Sequence, residues 1–296
     1  MRSLYSQRVL AVILAVASSL GYGVADFAGG LATRTAPVLR VVAVTAPVSL
    51  VADVALLPLL GGRWSAGALG WGAASGLASA AVFALLYQSL ALGPMGVLSP
   101  VTAVVSAVLP AAVGITEGER LGALGAAGIV LAVAAVIVVS AGTGERGRRP
   151  SAVALVLAVA AGAAIAAQLV CLNQTPHDSG VVPLIVGRAV SAAVLLGAVG
   201  LRRGAALPGA AGSGPSGLPP PVLRLAVGAG IFDAAANLAF LLAVRSGSLV
   251  VVAVITALYP AGTVLLARRF LGERLTRTQF AGLLTAAAAV TILAAG

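Results

Sequence analysis

Four charged residues lie inside long apolar runs of the sequence: Asp26, Asp53, Arg188 and Asp233. At the centre of a membrane helix such a residue costs roughly 2.5–3.5 kcal/mol on insertion scales, so each needs a partner or a task. Two kinds of chemistry are open to three carboxylates and one guanidinium. An Asp–Arg pair neutralises itself and acts as packing glue, which fits Arg188 with Asp26 or Asp233. Alternatively, the carboxylates recognise a polar solute or take part in proton coupling. Asp26 and Asp233 suit that role better than Asp53, which lies closer to the end of its run. Asp233 stands four residues before Asn237, so the two share a helix face. Uncharged polar residues extend the candidate set: Tyr22, Tyr87, Gln88, Gln168, Asn237, Thr256 and Tyr259. Tyr87 and Tyr259 also suit interfacial anchoring, and Thr102 and Thr256 can bond back to their own helices.

Other chemistries lack their residues. Cys171 is the single cysteine, so neither an internal disulfide nor a cysteine-cluster metal site can form. The single histidine, His177, lies in the turn Asn173-Gln174-Thr175-Pro176-His177-Asp178 and reads as a solvated loop residue. No metal site and no cofactor are expected. A Walker A loop is missing, which argues against direct use of ATP. So are a His-Glu-x-x-His site, a paired-Asp motif and a Gly-x-Ser-x-Gly turn, which argues against an enzyme.

The elements that must position these residues follow from composition. Of 296 residues 60% are hydrophobic and 9% charged, whereas a soluble domain carries about a quarter charged residues. Lipid accommodates that apolar excess. The net charge of +10 would suit a nucleic-acid binder, but its distribution does not. All 18 basic residues are Arg, and only Arg188 lies within an apolar run. The others decorate short gaps, as membrane loops do, and no basic face with interleaved aromatics exists. A spanning helix takes about 20 mainly apolar residues. That template predicts ten helices, at about 9–31, 38–60, 66–92, 95–115, 121–142, 151–172, 181–201, 222–243, 248–267 and 277–295. The first resembles a signal peptide, with Ala15-Val16-Ala17 as a cleavage-like site, but nine similar segments follow and it reads as a membrane helix. The fold class expected is all-α and polytopic.

The segments repeat. At a shift of 154 residues, Gly118-Glu119-Arg120-Leu121 falls on Gly272-Glu273-Arg274-Leu275, Gly76 on Gly230, and Thr102-Ala103 on Thr256-Ala257. From Trp71/Leu225 to Gly142/Gly296, 20 of 72 pairs are identical. Many are alanines. The Gly-Glu-Arg-Leu block is not a chance product of composition, since the chain holds only eight acidic residues. Two five-helix units follow, over 1–143 and 150–296. Five is odd, so the second unit enters the membrane from the opposite side, and a site near the midplane with alternating access is the mechanism such inverted repeats use. In each block the glycine ends a helix, the Glu is expected at the N-terminus of the helix that follows, and the Arg pairs locally or meets headgroups. Pro110 and Pro260 are expected to kink the fourth and ninth helices.

This pattern resembles the EamA family of the drug/metabolite transporter superfamily. The second unit carries it best, in Ala257-Leu258-Tyr259-Pro260 and Phe270-Leu271-Gly272-Glu273-Arg274-Leu275, with thirteen residues from Pro260 to Glu273. The first unit departs: Ser106 stands where that Pro is expected, Pro110 is displaced by four, and Thr116-Glu117 replaces Phe-Leu. Arg188 resembles an arginine common early in a repeat's second helix, near which the first unit has only Thr45. The resemblance implies a ten-helix exporter or permease of small metabolites, amino-acid-like solutes or drugs in a bacterial-type plasma membrane. A lipid-carrier flippase shares the architecture. A membrane-embedded enzyme, a passive channel and a scaffold remain weaker alternatives.

The expected partners are the bilayer and a small-molecule substrate, without nucleic acid. Two fused halves complete a site, which favours a monomer over a dimer. Loop arginines number five on the N-terminal side (Arg2, Arg8, Arg63, Arg120 and Arg245) and twelve on the other. That bias favours termini outside, whereas the resemblance implies cytoplasmic termini.

Overall fold

The computed structural model describes residues 2–33, 35–92, 95–119, 122–141, 151–204, 218–271 and 276–295. The described residues form α-helices, one short 3-10 helix at His177–Ser179 and their connections. The helices are α1 (Arg2–Thr33), α2 (Val38–Leu60), α3 (Ala66–Leu92), α4 (Met95–Thr116), α5 (Ala123–Ala141), α6 (Ala152–Asn173), α7 (Val182–Gly204), α8 (Pro220–Ser246), α9 (Leu249–Thr256), α10 (Tyr259–Leu271) and α11 (Arg277–Ala295). Five of them contain spans long and apolar enough to cross a membrane, at Gln7–Thr33, Arg40–Leu60, Ala66–Leu86, Ala152–Asn173 and Pro220–Ser246. Shorter apolar helices bundle with these. Large side chains such as Leu59 and Val130 face outward, 79% and 70% exposed. A surface that apolar belongs in lipid rather than water. The protein is a multi-pass membrane protein of ten crossings.

One expected crossing is divided. The ninth is α9 followed by α10, with Ala257 and Leu258 between them. The cause is Pro260, which has no N–H to offer a carbonyl one turn back. Ala257 N closes on Ala253 O, Leu258 N on Ile255 O, and Ala261 N restarts on Leu258 O. The expected kink is here a full interruption. Pro110 leaves α4 unbroken.

Helix partners follow a twofold scheme. α1 packs on α8, as α6 packs on α3. α2 meets α8, as α7 meets α3, and α4 meets α6, as α9 and α10 meet α1. Three pairs map onto themselves: α2 with α7, α4 with α9, and α5 with α11. This is the contact pattern of two related five-crossing units, inverted because five is odd. The glycines matched by the 154-residue shift mark equivalent crossings. A Cβ on Gly76 would lie 2.3 Å from Gly187 O of α7, and one on Gly230 would lie 2.7 Å from Thr45 O of α2. In lipid, close approach at small residues substitutes for the hydrophobic drive between helices. The junction between the two expected units, 1–143 and 150–296, lies outside the described residues.

The core sits where the halves meet. Phe240 and Leu241 of α8 and Leu249, Val250, Val252, Val254 and Ile255 of α9 are fully buried against α1, α4, α5, α6 and α11.

Candidate functional site

α7 carries Arg188 into the interior, where it is 7% exposed. Its Nη2 lies 2.5 Å from Asp233 Oδ2 of α8, and its Nε lies 3.9 Å from Asp53 Oδ2 of α2. The first is a charge contact without the alignment of a hydrogen bond. Asp53 is fully buried, and neither of its carboxylate oxygens has a hydrogen-bond partner among the described residues. The guanidinium thus spans two carboxylates, one from each half of the chain.

Polar side chains continue the network. Ser49 Oγ of α2 donates to Gly230 O at 2.8 Å and reaches Asp233 Oδ2 at 3.2 Å. Asn237 Nδ2 donates to Asp233 O at 2.8 Å and Asp233 Oδ1 at 3.3 Å. Gln168 Nε2 of α6 donates to Asn237 Oδ1 at 3.0 Å. The sharing of a face by Asp233 and Asn237 is the consequence of their four-residue spacing. Beside the network, a small polar cavity is lined by Ser75, Gly76, Ser79, Gln168, Leu184, Gly187, Arg188 and Asn237. Arg188 therefore faces acids on one side and neutral hydrogen-bonding groups on the other.

α1 adds further polar side chains to the neighbourhood. Tyr22 lies within electrostatic reach of Asp233, Arg188, Asp26 and Asp53. Asp26 interacts with Asp233 and Tyr259 but forms no ion pair with Arg188. Its side chain is exposed on α1. α1 is held close by glycines: a Cβ on Gly23 would lie 2.9 Å from Tyr259 O, and one on Gly21 would lie 3.0 Å from Ala236 Cβ.

The partner of Arg188 is thus Asp233, as one of the two expected pairings has it, together with Asp53 in place of Asp26. Asp53, judged the least placed of the acids from its sequence position, is the most deeply buried. The helix crossing of α2 and α7 brings it inward, which linear distance from a helix end does not reveal. Tyr22, Asp26, Arg188, Asp233, Asn237 and Gln168 form one neighbourhood. Gln88 is exposed on α3, and Tyr87 lies on the same helix with its side chain outside the description. Thr256 is buried at the end of α9, and its hydroxyl has no hydrogen-bond partner among the described residues, so the expected back-bond is not made. Thr102 does make it, to Leu98 O at 3.1 Å, and also bonds Ala158 O at 3.1 Å. Sequence reasoning missed Ser49, Ser75, Ser79 and Gly187. The available signal was Gly76 and Gly230, whose matched register marks the two crossings that these residues flank.

The repeated motif behaves differently from expectation. Gly118 ends α4 with φ 98°, a left-handed turn that favours glycine. The carboxylate of Glu119 then reaches α9, across the halves, rather than the start of α5. It accepts from Leu249 N at 2.8 Å, from Val250 N at 3.1 Å and from the Ser248 hydroxyl. Four free N–H groups and the dipole make any helix N-terminus attractive to a carboxylate, and packing decides which one is within reach. Arg120, Gly272, Glu273 and Arg274 lie outside the described residues.

The fold and this network define a polytopic helical protein with a buried ionic site between its two halves. Residues 152–295 match the model of the EamA-like transporter family, in agreement with the resemblance read from the motifs of the second unit. A crystal structure described only as that of a protein superposes with a TM-score of 0.71 over 95% of each chain, at 17% identity; at that identity the likeness concerns the fold. No protein among the curated sequences matches the chain.

Proposed function

We propose that the protein is a secondary transporter that moves small polar metabolites, amino-acid-like solutes or drugs by alternating access, with export as its direction. The observation that carries this reading is Arg188 held between Asp233 and Asp53, one acid from each half. An ionisable cluster inside a membrane bundle is expensive and is retained where a solute or ion must be handled. Two inverted units meeting at such a cluster supply the geometry that rocking requires. The units proposed are residues 1–143 and 150–296, in one chain acting as a monomer in a bacterial-type plasma membrane. Asp26, Tyr22, Gln168, Asn237, Thr256 and Tyr259 are proposed to line the path, with Arg188 and Asp233 at its centre. The protein is proposed to catalyse no covalent chemistry and to need no cofactor.

The test is uptake and efflux in proteoliposomes with labelled amino acids and cationic drugs, with and without a pH gradient. Solute movement that is lost in Arg188→Ala with the fold retained supports the reading. Absence of solute movement together with scrambling of labelled lipid replaces it with a flippase.

A further inference from the structure

The function proposed above leaves the Gly-Glu-Arg-Leu motif without a role, although two of the chain's eight acids stand in its two copies. The surroundings of Glu119 suggest one. Its carboxylate joins the α4–α5 turn of the first half to the start of α9 in the second through the Ser248 hydroxyl, Leu249 N and Val250 N. The approach is close: a Cβ on Gly114 would lie 2.6 Å from Val250 Cγ2 and 3.1 Å from the Glu119 carboxyl. A bulkier residue at Gly114 would push the two helices apart.

The helix does not depend on Glu119 for its own cap. Ser248 Oγ accepts from Val251 N at 3.4 Å, as an N-cap residue does. A carboxylate added to an already capped helix can leave without unravelling it. Other cross-half contacts surround it on the same face, the one where α1 starts and α11 ends. Arg63 N donates to Asp178 O at 3.1 Å, Val181 N donates to Gly61 O at 3.2 Å, and Gln174 bonds Glu117. These links tie the two halves together on this face, and Glu119 makes the one that joins the end of α4 to α9, a pair that maps onto itself in the twofold scheme.

We propose that Glu119 is a gate latch: its carboxylate holds the α9 N-terminus to close this face, and it releases α9 when the transporter opens there. The latch rests on the alternating-access reading. The copy of the motif at 272–275 lies in the α10–α11 connection, outside the described residues, so the latch is assigned on Glu119 alone.

The test needs no substrate, so its outcome is separate from that of the transport assay. In the full chain carrying Cys171→Ala, a reporter cysteine is placed at Ala253→Cys, buried on α9 below the latch. Its reaction with a membrane-impermeant maleimide is followed in sealed proteoliposomes of known orientation. A control cysteine at Ala158→Cys, buried on α6 in the opposite half of the membrane, reports unfolding. Glu119→Gln should raise the Ala253→Cys labelling rate about tenfold, the effect of roughly 1.4 kcal/mol on an opening equilibrium, and leave Ala158→Cys unlabelled. Ser248→Ala, which removes one of the three Glu119 contacts together with the N-cap bond from Val251 N, should raise it less. Unchanged labelling in Glu119→Gln overturns the latch. So does a parallel rise at Ala158→Cys, which would make Glu119 a staple of the fold, and in that event a Ser248→Ala protein with unchanged labelling confirms the refutation.

Discussion

Arg188 Nη2 stands 2.5 Å from Asp233 Oδ2, two side chains on successive helices that meet inside the bundle. The same guanidinium keeps Asp53 of the other half at 3.9 Å. Removing one member of a buried ion pair leaves an uncompensated charge, which typically costs about 3–5 kcal/mol. Arg188→Met should therefore lower the thermal midpoint in detergent sharply. Arg188→Met with Asp233→Asn and Asp53→Asn should recover most of that loss and still fail to transport. Equal destabilisation in the single and triple variants, followed by thermal unfolding, would show that charge balance is not what the cluster provides.

Asp53 and Asp233 should separate in their effects. Asp233 accepts from Ser49 and Asn237, whereas the Asp53 oxygens have no hydrogen-bond partner among the described residues. Asp233→Asn should lose the Arg188 contact and cost about 2–4 kcal/mol. Asp53→Asn should cost less than about 1.5 kcal/mol, because no hydrogen bond is lost. Chemical denaturation of the two variants side by side checks the order, and a larger loss at Asp53 contradicts it.

The crossing of α3 and α7 admits no side chain at Gly76, where a Cβ would lie 2.3 Å from Gly187 O. Gly76→Ala should destabilise by about 1–3 kcal/mol through overpacking. Gly70→Ala, on the same helix with open space around it, should be neutral or slightly stabilising by helix propensity. Thermal melts of both variants test this, and equal behaviour would mean that the crossing is looser than described.

Much of the fold is legible in the sequence because lipid imposes one simple rule, a run of about 20 apolar residues per crossing. All ten crossings sit where the runs are. The rule carries no information on a break inside a run, so the interruption at Ala257 and Leu258 had to come from local hydrogen bonding around Pro260. The site was half legible. Asp233 and Asn237 share a face by spacing alone, and Arg188 announces itself as the single arginine within an apolar run. The depth of Asp53 and the reach of Glu119 to α9 depend on which helices cross, and hydropathy is silent about that.

Asp26 gives a fourth expectation. It is exposed and makes no ion pair with Arg188, so Asp26→Asn should melt within about 0.5 kcal/mol of wild type, as accessible substitutions do. If it touches the solute, transport should fall by about tenfold, the effect of about 1.4 kcal/mol lost on one polar contact. Wild-type transport rates in a stable Asp26→Asn protein would remove Asp26 from the path.

The most direct measurement is solute flux in proteoliposomes for wild type and Asp233→Asn, run with a panel of labelled amino acids and cationic drugs under an imposed pH gradient. The account predicts flux of at least one polar solute in wild type and its loss in folded Asp233→Asn. Equal flux in both proteins would contradict the central place given to the Arg188–Asp233 pair, and lipid scrambling without solute flux would contradict the transporter itself.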